Sequence, residues 1–145
     1  MRGISRCPMR QKPNSKGMHS NGRKAGGGTF TKVLHTILDH PDYLALSTSA
    51  RAFLWDMTRQ LKPYGENNGN IAASEGVMKK FGYSRFQCCR LRKELETYKW
   101  IEVTRYPRAK RDPLLYRFTW LPTGDWKGAP NLDAGAHEQK VKKLT

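Results

Sequence analysis

Between Gly82 and Glu96 the chain reads "GYSRFQCCRLRKELE", where arginines, a glutamine and a lysine crowd one short amphipathic stretch. Arg85 offers a pair of N–H donors that matches guanine O6 and N7, and Gln87 can both donate to and accept from adenine. Arg90 and Lys93 suit phosphate oxygens, whose contacts fix position on a duplex without reading its sequence. Ser84 stands before them as an N-cap, with Gln87 three residues on completing a capping box, so a helix is predicted over residues 84–98. Cys88, Leu91, Leu95 and Tyr98 recur at spacings of three and four and form its buried stripe, with Cys88 acting as a small hydrophobe. That stripe turns Arg85, Gln87, Cys89, Arg90 and Lys93 to the far and flanking surface, where they are the candidate DNA-reading residues. The major groove of B-DNA is about 12 Å wide and admits one helix, whose first turns meet the base edges.

The neighbouring elements must hold that helix in place. Upstream, Ser74 caps a short helix, "EGVMKKF", with Val77, Met78 and Phe81 available for packing; "GYS" breaks it, giving the pattern of a helix-turn-helix. Lys79 and Lys80 on this first helix suit backbone phosphates. Downstream the period changes to alternation: "WIEVTRY" sets Ile101 and Val103 against Glu102 and Thr104, and "LLYRFTW" aligns Tyr116, Phe118 and Trp120. Two strands joined by the basic loop "PRAKRDP" make a wing, in which Arg105, Arg108, Lys110 and Arg111 are the candidate contacts to backbone or minor groove.

Farther upstream, Ser47 caps "STSARAFLWDMTRQL", a helix with Ala50, Phe53, Leu54, Met57 and Leu61 on one stripe, ended by "KPYG". Trp55 lies off that stripe and is expected to cover a helical extension in which Phe30, Val33, Leu34, Ile37 and Leu38 recur at helical spacing up to Pro41. Tyr43, Leu44 and Leu46 follow as a short apolar return. "ENNGNIAAS" reads as a turn leading into a short strand at Ile71. The expected organisation is therefore a disordered basic arm over 1–29, a winged-helix domain over 30–122 and a flexible C-terminal tail over 123–145. The fold class is α+β.

The chain has 145 residues and a formal net charge of +15, so a polyanionic partner is expected. Residues 1–29 hold Lys and Arg but neither Asp nor Glu, together with glycines at 3, 17, 22, 26, 27 and 28, a composition too poor in apolar surface to order itself. Cys7, Cys88 and Cys89 contain no CxxC spacing, which suits a reducing, cytoplasmic setting, with nucleoid association when DNA is bound. No apolar run matches a membrane span or a signal peptide, so no membrane partner is expected. His19, His35, His40 and His137 are scattered, no GxxxxGK[ST] loop occurs, and the carboxylates form no pair suited to a nuclease. A noncatalytic protein with no cofactor and no metal is expected.

As a series, "FTKVLHTILDHPDYLALSTSARAFLWDMTRQL", "NNGNIAAS", "GYSRFQCCRLRKELETYKWIEVTR" and "LLYRFTWLPT" resemble the small winged-helix proteins of bacterial, phage and plasmid genomes. They resemble too the MarR- and GntR-like regulators and the modules at the front of replication-initiation proteins. The resemblance spans about Phe30 to Thr123. It implies that the helix after the tight turn enters the major groove through Ser84, Arg85, Gln87, Cys89 and Arg90, and that Arg108, Lys110 and Arg111 are wing cations. Lys99 departs from the pattern by standing where a glycine often closes that helix. The expected function is sequence-specific binding of double-stranded DNA, as a transcription regulator. A replication or partition accessory factor, and an interaction subunit of a larger defence or ribonucleoprotein assembly, are the competing readings. A homodimer reading two half-sites, or a protein or RNA partner, is open at this stage.

Overall fold

The computed structural model describes residues 29–124 and 132–144. The expected basic arm therefore lies, apart from Thr29, outside the described residues. Thr31–Thr145 makes a compact unit, a small mixed α+β domain with several helices and an open three-stranded antiparallel sheet. Its helices are α1 (His35–Leu38), α2 (Pro41–Leu44), α3 (Thr48–Met57), α4 (Glu75–Met78) and α5 (Arg85–Thr97). Its strands are β1 (Ile71–Ala72), β2 (Ile101–Arg105) and β3 (Leu115–Phe118), in the order β1-β3-β2.

The two longer helices begin at the serines read as caps. Ser47 Oγ accepts from Ala50 N at 3.2 Å, and Ser84 Oγ accepts from Gln87 N while Gln87 Oε1 accepts from Ser84 N. Each cap satisfies N–H groups that the first helical turn leaves without an intrahelical partner. Ala50, Phe53, Leu54 and Met57 of α3 pack with Cys88, Leu91 and Leu95 of α5 in one core. Glu94 of α5 adds a polar tie, accepting from Ser47 N at 2.7 Å and from Ser47 Oγ at 3.0 Å. A carboxylate here faces the positive end of the α3 backbone dipole.

The expected helix over Phe30–Leu38 is only one turn long. Val33, Leu34 and Leu38 are exposed and Ile37 alone of that stripe is buried. A single turn fixes several dihedrals for few hydrogen bonds, so packing must hold it. Pro41 does not simply end this helix; it occupies the first turn of α2, where its missing N–H costs nothing, and His40 Nδ1 caps Asp42 N. Trp55 covers this region as its position off the α3 stripe implies, its indole N–H donating to Tyr43 Oη at 3.1 Å. Trp55, Trp120, Trp100 and Tyr43 close a ring of aromatic contacts, with neighbouring centroids 5.9 to 6.2 Å apart.

The asparagine turn has a structural use. Asn68 is fully buried; its Oδ1 accepts from Phe118 N at 2.7 Å and its Nδ2 donates to the carbonyls of Phe118, Leu121 and Pro122. Gln60 does the same on β1, donating to Ala72 O at 2.8 Å and accepting from Ala72 N at 3.0 Å. Two side-chain amides thus stand in for strand backbone and satisfy peptide groups that a two-residue strand cannot pair by itself.

β3 pairs with β2 as Ile101↔Phe118, Glu102↔Arg117 and Val103↔Tyr116, with a bulge before Arg105↔Leu115. The expected alternation of buried and exposed faces fails in β3, because Leu115, Tyr116, Arg117 and Phe118 are all buried. The cause is the segment 132–144, read from composition as a flexible tail, which runs over the second face. Asp133 N donates to Thr104 O, Gln139 Nε2 to Val103 O, and Lys142 N to Thr119 O. Arg117, fully buried beneath it, is held by Glu102 Oε2 at 2.7 Å and by Lys140 O at 2.6 Å. Lys142 Nζ reaches Asp42 Oδ2 at 2.7 Å and Tyr98 O at 2.9 Å, and lies 4.7 Å from the centre of the Trp100 ring. Ala136 is buried and Leu144 packs against the core, so apolar contacts join the charged groups and backbone in holding the segment.

Candidate nucleic-acid interface

α4, a turn through Gly82–Ser84 and α5 place the candidate side chains. Lys79–Phe81 tightens into a 3-10 turn after α4, and Gly82 reverses the chain at φ 90, a conformation open to glycine at little cost. Tyr83 fixes the turn from inside: its hydroxyl donates to Asp56 Oδ2 at 2.7 Å and its ring stands edge-on to Phe53, 4.9 Å between centroids. Burial and the neighbouring Asp56 carboxylate both push that hydroxyl far above its ordinary pKa, so it stays a donor. At the other end α5 closes without glycine. Lys99 takes φ 57, with Lys99 N donating to Glu96 O and Trp100 N to Leu95 O, the two bonds of a Schellman turn.

With Cys88, Leu91 and Leu95 buried, the outward face of α5 carries Arg85, Phe86, Arg90 and Lys93, all exposed, with Cys89 half-buried beside them. The five ion pairs among the described residues leave out Arg85, Arg90, Lys93, Lys79 and Lys80. Of the acidic residues of the helix, Glu94 is turned to Ser47 and Glu96 is half-buried on the flank. Cys89 Sγ lies 3.8 Å from Arg92 Nη2, a guanidinium half-buried on the flank.

Two assigned readers have other partners. Ser84 and Gln87 are occupied by one another's backbone in the capping box, and Gln87 is half-buried on the flank of the stripe. Phe86 is the residue that the sequence reading passed over: it is 76% exposed in the first turn, between Arg85 and the capping Gln87. Its signal was available, since Phe86 falls outside the stripe of Cys88, Leu91 and Leu95.

The β2–β3 loop is organised by two carboxylates. Asp112 accepts from Arg105 Nη2 at 2.9 Å and from Arg108 N at 2.8 Å. Asp133 accepts from Tyr106 N at 2.9 Å and from Arg108 Nη2 at 3.0 Å. The Arg108 N–H, reinforced by Arg105, holds the Asp112 carboxyl below its ordinary range, and the Tyr106 N–H with Arg108 does the same for Asp133. Arg105 is buried and belongs to the loop's own framework, which corrects its assignment as an outward contact. Arg108 remains largely exposed despite its pairing, and Lys110 and Arg111 are exposed at the tip. Among the described residues no three His, Cys, Asp or Glu side chains gather as a metal site, and no helix is long and apolar enough to cross a membrane.

Comparison with protein-family models, with curated proteins and with solved structures finds no match, so the functional reading rests on this chain's own residues.

Proposed function

We propose that the domain is a noncatalytic winged helix-turn-helix that binds double-stranded DNA, with α4 and α5 as the helix pair and the β2–β3 loop as the wing. The observation that carries the reading is the sorting of charge on α5: Glu94 is tied to Ser47 at the start of α3, while Arg85, Arg90 and Lys93 stand exposed, outside the ion pairs of the described residues. A solvated helix face needs no such separation, since mixed signs at neighbouring turns stabilise it. In this reading the first turn of α5 meets base edges, with Arg85 the polar reader. Arg90, Lys93, Lys79 and Lys80 approach phosphates, and Arg108, Lys110 and Arg111 follow the backbone beside the groove. A role in regulating transcription fits such binding.

Titration of labelled duplexes at several salt concentrations tests this. Affinity should fall linearly on logarithmic axes, with Arg108→Ala and Lys110→Ala each lowering the slope by about 0.9 and weakening all duplexes alike. Arg85→Ala should relax the preference at one base pair by roughly 5- to 100-fold. Unchanged binding in all three variants, with native circular dichroism, would remove α5 and the loop from the interface.

A further inference from the structure

Phe86 has no role in the core: it is 76% exposed, and α5 is anchored by Cys88, Leu91 and Leu95 without it. A single exposed apolar side chain is ordinary on a protein surface. This one is set apart by its surroundings. Arg85 precedes it, Arg90 and Lys93 lie one and two turns on along the same face, and all three are exposed. The face is thus an aromatic disc framed by cations, at the end of α5 where a groove-inserted helix meets bases. The nearest polar alternative is already engaged, because Gln87 Oε1 accepts from Ser84 N at 2.9 Å.

We infer that Phe86 reads the 5-methyl group of thymine in the major groove, so that the preferred sites carry thymine opposite the first turn of α5. This rests on the duplex-binding reading above. The cations bring the face to a polyanion, and the thymine methyl is the one apolar feature that the major-groove edges of the four bases present. Contact removes both the ring and the methyl from water.

The full chain is tested on a duplex selected from a random library and on the same duplex with deoxyuridine in place of each thymidine, which removes methyl groups and leaves the pairing edges intact. The wild-type protein should lose about fourfold in affinity for each methyl contacted. Phe86→Ala should bind the two duplexes equally, and Phe86→Leu should keep part of the discrimination. Circular dichroism verifies folding, which an exposed side chain should not disturb. Equal wild-type affinity for both duplexes overturns the inference while leaving duplex binding in place, as does undiminished discrimination by Phe86→Ala. Tighter binding to the single strand than to the duplex also overturns it, assigning the ring to base stacking. Failure to bind any duplex sinks the function itself.

Discussion

The amide of Gln87 accepts the Ser84 N–H, and this one hydrogen bond separates two roles that the residue type alone leaves open. Glutamine three residues after a serine cap and glutamine in the first turn of a groove-reading helix are the same letter in the sequence. Only the side-chain rotamer distinguishes them. Gln87→Ala should therefore lower stability by about 1 kcal/mol through the lost cap while leaving the order of preference among duplexes unchanged. Thermal unfolding and competition among duplexes measure the two effects separately; an altered preference with unchanged unfolding would return Gln87 to the groove. Arg105 illustrates the same limit: its charge is visible in the sequence, but Asp112, seven residues away, becomes its partner only once the loop folds back. Lys110 and Arg111 have no such partner among the ion pairs of the described residues, and their exposure follows the basic composition of the loop.

At the level of elements, the strongest local rules were legible. α3 and α5 start at serine caps and bury stripes spaced by three and four, and β2 and β3 lie where the period changes to alternation. The N-terminal extension was overread because Phe30, Val33, Leu34 and Leu38 keep helical spacing without a surface to cover them all. The burial of both faces of β3 is not legible because the apolar residues of the segment over it follow no helical or strand period, and hydropathy does not register ion pairs and backbone hydrogen bonds. The close of α5 offers a test of local strain. Lys99 is exposed at φ 57, where a side chain with a Cβ costs about 1–2 kcal/mol and glycine does not. After the greater chain entropy of glycine is deducted, Lys99→Gly should stabilise the domain by about 1 kcal/mol, raising Tm by about 4 °C. A lower Tm would show that the Lys99 side chain makes a contact worth more than the strain.

Across the whole molecule, the segment 132–144 is fastened at two places by carboxylates, Asp133 to Tyr106 and Arg108, and Asp42 to Lys142. Each carboxyl titrates below its ordinary value of 3.8 when folded, Asp133 chiefly through the Tyr106 N–H and Asp42 chiefly through the Lys142 ammonium. The stability that these bonds contribute is fully present above that ordinary value and is lost as pH falls through the lower folded values, because the unfolded state then takes up protons first. Acidification below about pH 4 should therefore release the segment before the core opens. Amide exchange followed against pH should show Asp133 and Lys142 losing protection while Leu91 and Leu95 keep theirs; simultaneous loss at all four would make the segment part of one cooperative unit with the core. The bond between Lys142 and Asp42 joins residues 100 positions apart in the chain. Such a distant closure has a large entropic cost and adds little until its surroundings exist. In folding, then, the helices and the β2–β3 pairing can assemble ahead of this closure, leaving the guanidinium of Arg117 open to water until 132–144 settles over it.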